Sequence, residues 1–277
     1  MIKNTTLKTR GITAIIFVAV MLFGIFFHAY SYIFLMSIII AGCVWEFLNI
    51  TCEKSLFRNL VCMFSAVVIS LMLGLHNLNN AWFDNPYSTN YLFVFTIVVL
   101  SLFEMSTKSK KPFENIAFST FSLAYYSFFL SSIYYISFEG GEYTNTIVFA
   151  IIALTWTNDT MAYIVGSKVG RTKMFERMSP KKTWEGTMGG IFFTILVAFI
   201  IYYFFGIFTP AVWLGLAIII GIFGTLGDLV ESMLKRSYTM KDTGSLLPGH
   251  GGLLDRFDSL TFHLPLSVYF IQYTSSF

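Results

Sequence analysis

Long apolar stretches separated by short polar breaks set the pattern of this chain. Segments of roughly the 20 mainly apolar residues that a helix needs to cross a bilayer recur at 11–29, 31–50, 58–75, 90–107, 117–137, 145–166, 187–206, 210–234 and 258–274. The pattern predicts an all-α, polytopic integral membrane protein with about nine transmembrane helices. The polar breaks are unequal. Two long ones, 166–186 and 235–256, fall in the second half of the chain. Residues 1–140 therefore read as mainly scaffold spans, and 141–277 as the half that carries the chemistry, within a single transmembrane domain over 1–277.

Composition agrees. Hydrophobic residues make up 56% of the chain and charged residues 12%, about half the share of an ordinary soluble domain. The basic residues then fix an orientation. With the N-terminus in the cytoplasm, all 18 Lys and Arg residues fall on the cytoplasmic side. The opposite side receives 76–90, 139–145 and the C-terminal tail, which carry none. This is the asymmetry that the positive-inside rule describes. It predicts both loops on the inner face of the cytoplasmic membrane, and nothing in the charge pattern asks for a nucleic-acid partner. Three cysteines, Cys43, Cys52 and Cys62, with no CxxC spacing, give little support to a disulfide or zinc framework. The apolar run after the N-terminal ten residues has no signal-cleavage pattern after it and reads as a retained first helix.

The first half holds little chemistry. Glu46 and Glu104 lie near cytoplasmic helix ends, where snorkelling or pairing with Lys54 or Lys108 is the economical reading. The tyrosine pairs 125–126 and 134–135 read as lipid-facing or interfacial residues.

The second half differs. Asp228, Glu231, Ser232 and Lys235 stand at helical spacings of three, four and seven, so they share one polar face on an apolar helix. Such a face belongs toward a protein interior or a wet cavity. Gly227 and Asp228 read as closing that helix. Asp255 and Asp258 share a face at the start of the last span, where spacing alone leaves a capping role open. Carboxylates of this kind suit Mg²⁺, which takes one or two from protein and its remaining ligands from phosphate and water. Lys235, Arg236, Lys241 and Arg256 can hold phosphate oxygens, and Asp242 alternates with them. Pro248, His250, Gly251 and Gly252 form a turn whose backbone N–H groups could cradle a phosphate. In SPKKTWEG, residues 179–186, two lysines flanked by hydroxyls precede a helix that starts near Gly186, an arrangement that attracts anions. Asp159 sits inside the sixth span. No Walker A spacing is present.

Residues 232–258, SMLKRSYTMKDTGSLLPGHGGLLDRFD, together with SPKKTWEG, closely resemble the phosphatidate cytidylyltransferase family. The resemblance implies transfer of a cytidylyl group from CTP to phosphatidic acid, giving CDP-diacylglycerol and pyrophosphate for phospholipid synthesis. It implies Mg²⁺, with a second cation left open, and Asp228 and Asp255 as the metal-associated pair. Lys235, Arg236, Lys241, Asp242, Arg256 and Asp258 join them as catalytic candidates. Ser179, Pro180, Lys181, Lys182, Thr183, Glu185, Gly186, Ser232, His250, Gly251 and Gly252 are substrate-binding candidates. Asp159 and Glu231 are supporting residues, membrane lipid surrounds the site, and a homodimer is expected. Two rivals remain at this point. A cation- or proton-coupled transporter uses the buried carboxylates but not the basic loops. A related CTP-dependent lipid or polyprenol phosphotransferase keeps the site and changes the acceptor.

Overall fold

The computed structural model describes residues 7–78, 87–139, 141–244, 246 and 251–275, with side chains for all of these except 7–10, 139 and 275. The predicted turn residues Pro248 and His250 lie outside the described residues. Eleven helices and two small hairpins run in the order α1 (Leu7–Phe27), α2 (Ala29–Thr51), α3 (Leu56–Asn77), α4 (Ser88–Ser106), α5 (Pro112–Ser122), α6 (Phe129–Ser131), α7 (Tyr134–Ser137), β1 (Phe138–Glu139), β2 (Glu142–Tyr143), α8 (Asn145–Val169), β3 (Lys173–Phe175), β4 (Ser179–Thr183), α9 (Trp184–Phe205), α10 (Pro210–Ser237) and α11 (Leu254–Ser275). A π-helical turn, Leu123–Phe128, joins α5 to α6.

Each apolar segment of the sequence overlies helix. Among the described residues, seven helical stretches are long and apolar enough to cross a membrane; they start at Ala29, Leu56, Ser88, Pro112, Asn145, Trp184 and Pro210. α1 contributes a further apolar helical stretch over Gly11–Phe27. Outward side chains such as Phe192, Tyr203 and Phe204 are more than half exposed, as expected of helices whose surroundings are lipid tails. The structure is that of an all-α polytopic membrane protein.

The chain forms two compact units. The first comprises Met1–Tyr134, Phe138–Tyr143 and Met240–Arg256, and the second Tyr135–Ser137, Thr144–Thr239 and Phe257–Phe277. In the first unit α2 is central, packing on α1, α3 and α5. Its core is aliphatic and aromatic, with hydroxyls threaded through it: Ser37 Oγ donates to Ser70 Oγ at 3.0 Å, and Ser70 Oγ is 3.0 Å from Tyr134 Oη. Tyr134 is fully buried and Tyr126 nearly so. The lipid-facing reading of the tyrosines fails for these two, because neighbouring hydroxyls and ring contacts satisfy Tyr134 inside the protein.

Glu104 does not pair with Lys108. Its Oε1 lies 2.8 Å from Arg58 Nη1, and both side chains are 2% exposed. Asn115 Nδ2 donates to the other carboxylate oxygen at 3.2 Å, and Arg58 Nη2 donates to the Glu53 carbonyl. The Glu53 N–H in turn donates to Asn115 Oδ1 at 3.2 Å. This knot ties together the adjoining ends of α2, α3, α4 and α5. Glu46 does not snorkel either; it is buried at 4% exposure.

In the second unit α8, α9 and α10 pack together. The closest approach lies along a small-residue stripe on α9. A Cβ on Gly186 would sit 2.7 Å from the Ala162 carbonyl oxygen, and one on Gly190 would sit 2.8 Å from Asn158 Oδ1. Asn158 and Ala162 are themselves four apart on α8, so two helical stripes meet backbone to backbone, the small-xxx-small packing of membrane helices. The basic segment 166–186, read as a loop, contains an antiparallel hairpin with Lys173 opposite Thr183. The following helix starts at Trp184, two residues before the expected Gly186, with Thr183 Oγ1 capping the Gly186 N–H at 3.2 Å. Nor do Gly227 and Asp228 close α10, which continues to Ser237. Gly227 instead admits the neighbouring chain, since its Cβ would lie 2.7 Å from both the Asp258 carbonyl oxygen and Phe262 Cβ.

Removing one partner of a buried ion pair strands the other charge, at a cost of about 3–5 kcal/mol. Glu104→Ala or Arg58→Ala should therefore lower the detergent melting midpoint markedly, while Lys111→Ala, at the exposed Lys111–Glu114 pair, should leave it near wild type. Differential scanning fluorimetry of the purified variants checks the contrast. Equal midpoints for all three would show that the knot is not load-carrying.

Candidate active site

A cavity of about 540 Å³ opens within the second unit. Asp159 from α8, Lys173 from β3, Ser179, Lys181 and Lys182 from β4, and Thr225 and Asp228 from α10 line it. The hairpin is what brings the lysines there: β4 carries two and β3 a third, and pairing the strands puts all three at one opening. Lys173 is a residue the sequence reading missed. It sits in a cluster of basic residues that looked uniform, and only the strand register sets it apart.

The centre of the cavity is an ion pair. Lys182 Nζ lies 2.7 Å from Asp228 Oδ2 and also donates to the Thr225 carbonyl at 2.9 Å. Thr225 lies one turn before Asp228 on α10, so the lysine spans two successive positions of one helix face. Ser232 Oγ approaches Asp228 Oδ1 at 3.4 Å, and Lys235 Nζ lies 3.2 Å from Glu231 Oε1. The four residues read as one helical stripe from their spacing thus do share a face and interact along it.

Further carboxylates surround the pair. Asp159 interacts electrostatically with Asp228 and Asp258, and Lys182 offsets that repulsion. Asp159 Oδ1 accepts from Ser259 Oγ at 3.3 Å, and Asp258 Oδ1 caps the Ser259 N–H at 2.7 Å. Among the described residues no three His, Cys, Asp or Glu side chains converge as a metal cage. The donor set is sparse, with Asp228 and Asp159 both facing the cavity. It fits an ion such as Mg²⁺, which takes only one or two protein carboxylates and completes its shell with phosphate and water.

Other candidates have different surroundings. Glu185 accepts the N–H groups of Arg171 and Thr172 at 3.0–3.1 Å, closing the turn ahead of β3. Arg236 Nε donates to the Met178 carbonyl at 3.3 Å, linking α10 to the hairpin. Gly186 lies in the helix seam described above. Pro180 is exposed on β4, and Thr183 is buried at the start of α9.

Lys241, Asp242, Gly251, Gly252, Asp255 and Arg256 belong to the first unit. Lys241, Asp242 and Arg256 are exposed there. Asp255 Oδ2 collects three donors: the Thr243 N–H at 3.0 Å, Thr243 Oγ1 at 2.9 Å and the Gly252 N–H at 2.9 Å. Gly251 between them takes φ +87°, a backbone conformation that suits glycine. His250 lies outside the described residues.

Comparison with known proteins identifies the family. The model of the cytidylyltransferase family matches residues 8–274. Phosphatidate cytidylyltransferase of Staphylococcus aureus (strain COL) is 36% identical over 263 residues, covering 94% of this chain and 97% of the relative. That of Staphylococcus saprophyticus is 37% identical over 267 residues, with the same coverage. That of Bacillus subtilis (strain 168) is 37% identical over 180 residues, 64% of this chain and 66% of the relative. A match that runs from the first helix through the last, and includes every wall of the cavity, makes this chain a member of the cytidylyltransferase family.

Proposed function

We propose that this membrane enzyme transfers the cytidylyl group of CTP to phosphatidic acid, releasing pyrophosphate and forming CDP-diacylglycerol. The observation that carries the reading is the lysine-rimmed cavity around the Lys182–Asp228 pair, in a chain that aligns end to end with phosphatidate cytidylyltransferases. Membership in this family sets the transporter reading aside.

In the reaction an oxygen of the lipid phosphate bonds to the α-phosphorus of CTP, and the bond from that phosphorus to the oxygen bridging to the β-phosphate breaks. A phosphate monoester has a second pKa of about 6, so the nucleophile arrives already anionic and needs no strong base. The task left to the protein is to hold two polyanions together and stabilise the charge moving onto pyrophosphate. Lys173, Lys181 and Lys182 are the groups offered to phosphate oxygens at the cavity. Lys182 is neutralised by Asp228 before substrate enters, and a phosphate oxygen can take over that partnership. Asp228 would then be free to help hold a cation. Asp228 at the cavity, with Asp255 assigned through the sequence motif, is the proposed Mg²⁺-holding pair; Mg²⁺ when bound supplies charge neutralisation of the phosphates. Asp159, anchored by Ser259, supports the negative side of the cavity.

The finer topology belongs to the same proposal: nine spans, a cytoplasmic N-terminus and a site facing the cytoplasm, where CTP is made. The concentration of every basic residue on one predicted side supports it. A homodimer is expected on family grounds.

Pyrophosphate release by the purified protein, given CTP, phosphatidic acid and Mg²⁺ and with each omitted in turn, tests the reaction. Asp228→Asn should lower kcat by about 10³-fold, the scale of losing a principal electrostatic contact in the transition state, and retained turnover would remove Asp228 from the mechanism. Lys182→Ala should raise KM for a phosphorylated substrate about tenfold, the loss expected of one charge-assisted hydrogen bond. Lys181→Ala, at an exposed position, should have a smaller effect. The orientation is checked separately by labelling intact cells with a membrane-impermeant thiol reagent, with the unmodified chain as control. Glu142→Cys should react from outside and Arg177→Cys only after the membrane is opened. The reverse pattern would invert the topology.

A further inference from the structure

Within the first unit, the segment that precedes α11 is seated on α2 by a built socket. Gly42 and Glu46 stand four residues apart on one face of α2. A Cβ on Gly42 would collide with Leu253 Cδ1, so this glycine is the notch that receives the leucine side chain. One turn further along, Glu46 Oε2 accepts the Leu254 N–H at 3.0 Å and lies 3.5 Å from Thr243 Oγ1. Gly244 and Gly252 bring backbone against the same carboxylate, since a Cβ on either would collide with a Glu46 oxygen.

Packing alone does not account for this residue. Glu46 is 4% exposed, and its carboxylate is buried against the backbone of the segment ahead of α11. A buried carboxylate is costly in an apolar helix, and an aliphatic side chain would fill the same space more cheaply. What the carboxylate does that an aliphatic group cannot is hold Leu254 and abut Thr243. Thr243 in turn faces Asp255: its N–H and its hydroxyl both donate to Asp255 Oδ2, at 3.0 and 2.9 Å. The hydroxyl has one proton, and the shorter contact assigns it to Asp255. Gly252, the third donor to that oxygen, is the same glycine that abuts Glu46.

The geometry points to Glu46 as a positioning residue for the transfer reaction: it holds the Leu254 N–H and is closely abutted by Gly252, and through that backbone it sets the orientation of the Asp255 carboxylate. This inference rests on the reading of Asp255 as a catalytic carboxylate. Glu46 itself touches no substrate in this account, so its loss acts on turnover rather than on binding.

Glu46→Ala should lower kcat about 100-fold, the scale of a misplacement near 1 Å at a reacting group, with KM for CTP unchanged. Thr243→Val, which loses only the hydroxyl, should fall in the same direction, and Thr243→Ser should restore turnover. The Glu46→Ala/Thr243→Val double variant should be no slower than the worse single one, because both act through one carboxylate. Detergent melting midpoints establish that each variant is folded. Should Glu46→Ala not accumulate, Glu46→Asp, whose carboxylate is one methylene too short to reach the Leu254 N–H, takes its place: wild-type kcat in it overturns the relay. Wild-type kcat in folded Glu46→Ala, or a loss confined to KM, also overturns it. Asp255→Asn separates the two levels of the argument. If it is inactive while Glu46→Ala is active, only the positioning role fails; if it turns over normally, the assignment of Asp255 fails and takes the relay with it.

Discussion

Charge beside hydrocarbon must be paired or wetted, and the way each unit meets that demand organises the rest of the molecule. A carboxylate or guanidinium taken out of water loses several kcal/mol of hydration even after the surroundings relax. Two of the ion pairs among the described residues answer this in opposite ways. Arg58 and Glu104 are 2% exposed each, with further hydrogen bonds from Asn115 and to the Glu53 carbonyl. That pair is enclosed on all sides and has nothing to exchange with. Lys182 and Asp228 are 21% and 36% exposed and face a cavity. Their attraction is weakened by solvent, so an incoming polyanion or cation can compete for either partner. Exposure, more than distance, separates the structural pair from the exchangeable one.

Much of this was legible in the sequence, and the limits have physical causes. Apolar runs of spanning length declare themselves without any tertiary information, and each one overlies helix. The stripe from Asp228 to Lys235 was legible for a similar reason: helical periodicity is local, and a polar stripe on an apolar helix has few places to go. Features set by contacts between distant segments were not legible. Glu104 has a lysine four residues away, yet pairs with Arg58, forty-six residues back, because the helix ends meet there. The hairpin that delivers Lys173 to the cavity is too short and too charged to show strand alternation. Glu46 looked like a snorkelling residue because its partners, Thr243 and Leu254, lie about two hundred residues downstream. Chain order gave no hint that 240–256 belongs with the first helices.

Glycine has two uses in this architecture that composition alone does not distinguish. On α9, Gly186 and Gly190 let two helix backbones come together where lipid offers no hydrophobic incentive for helices to associate. That close approach holds Asp159 on α8 and the start of α9 at the mouth of the same cavity. Around Glu46, Gly42, Gly244 and Gly252 clear space for a leucine side chain and a carboxylate. In the first case glycine serves packing between helices, and in the second it lets loop backbone reach a buried charge. A substitution by alanine would be felt in both, first as a widened helix seam and then as a displaced loop.

The two aspartates proposed for catalysis are held by different means, and the difference bears on what each can do. Asp228 is restrained by side chains, a lysine amine and a more distant serine hydroxyl, and both partners can turn away when a phosphate or a cation enters. Asp255 Oδ2 is restrained mainly by backbone, through the N–H groups of Thr243 and Gly252, with the Thr243 hydroxyl as a third donor. Backbone donors cannot rotate out of place without moving the loop. A carboxylate held that way keeps its direction through a catalytic cycle, whereas one held by a lysine can change partner within it. Phosphoryl-group chemistry needs both behaviours, a fixed reference for the reacting groups and a neutralising contact that yields to substrate.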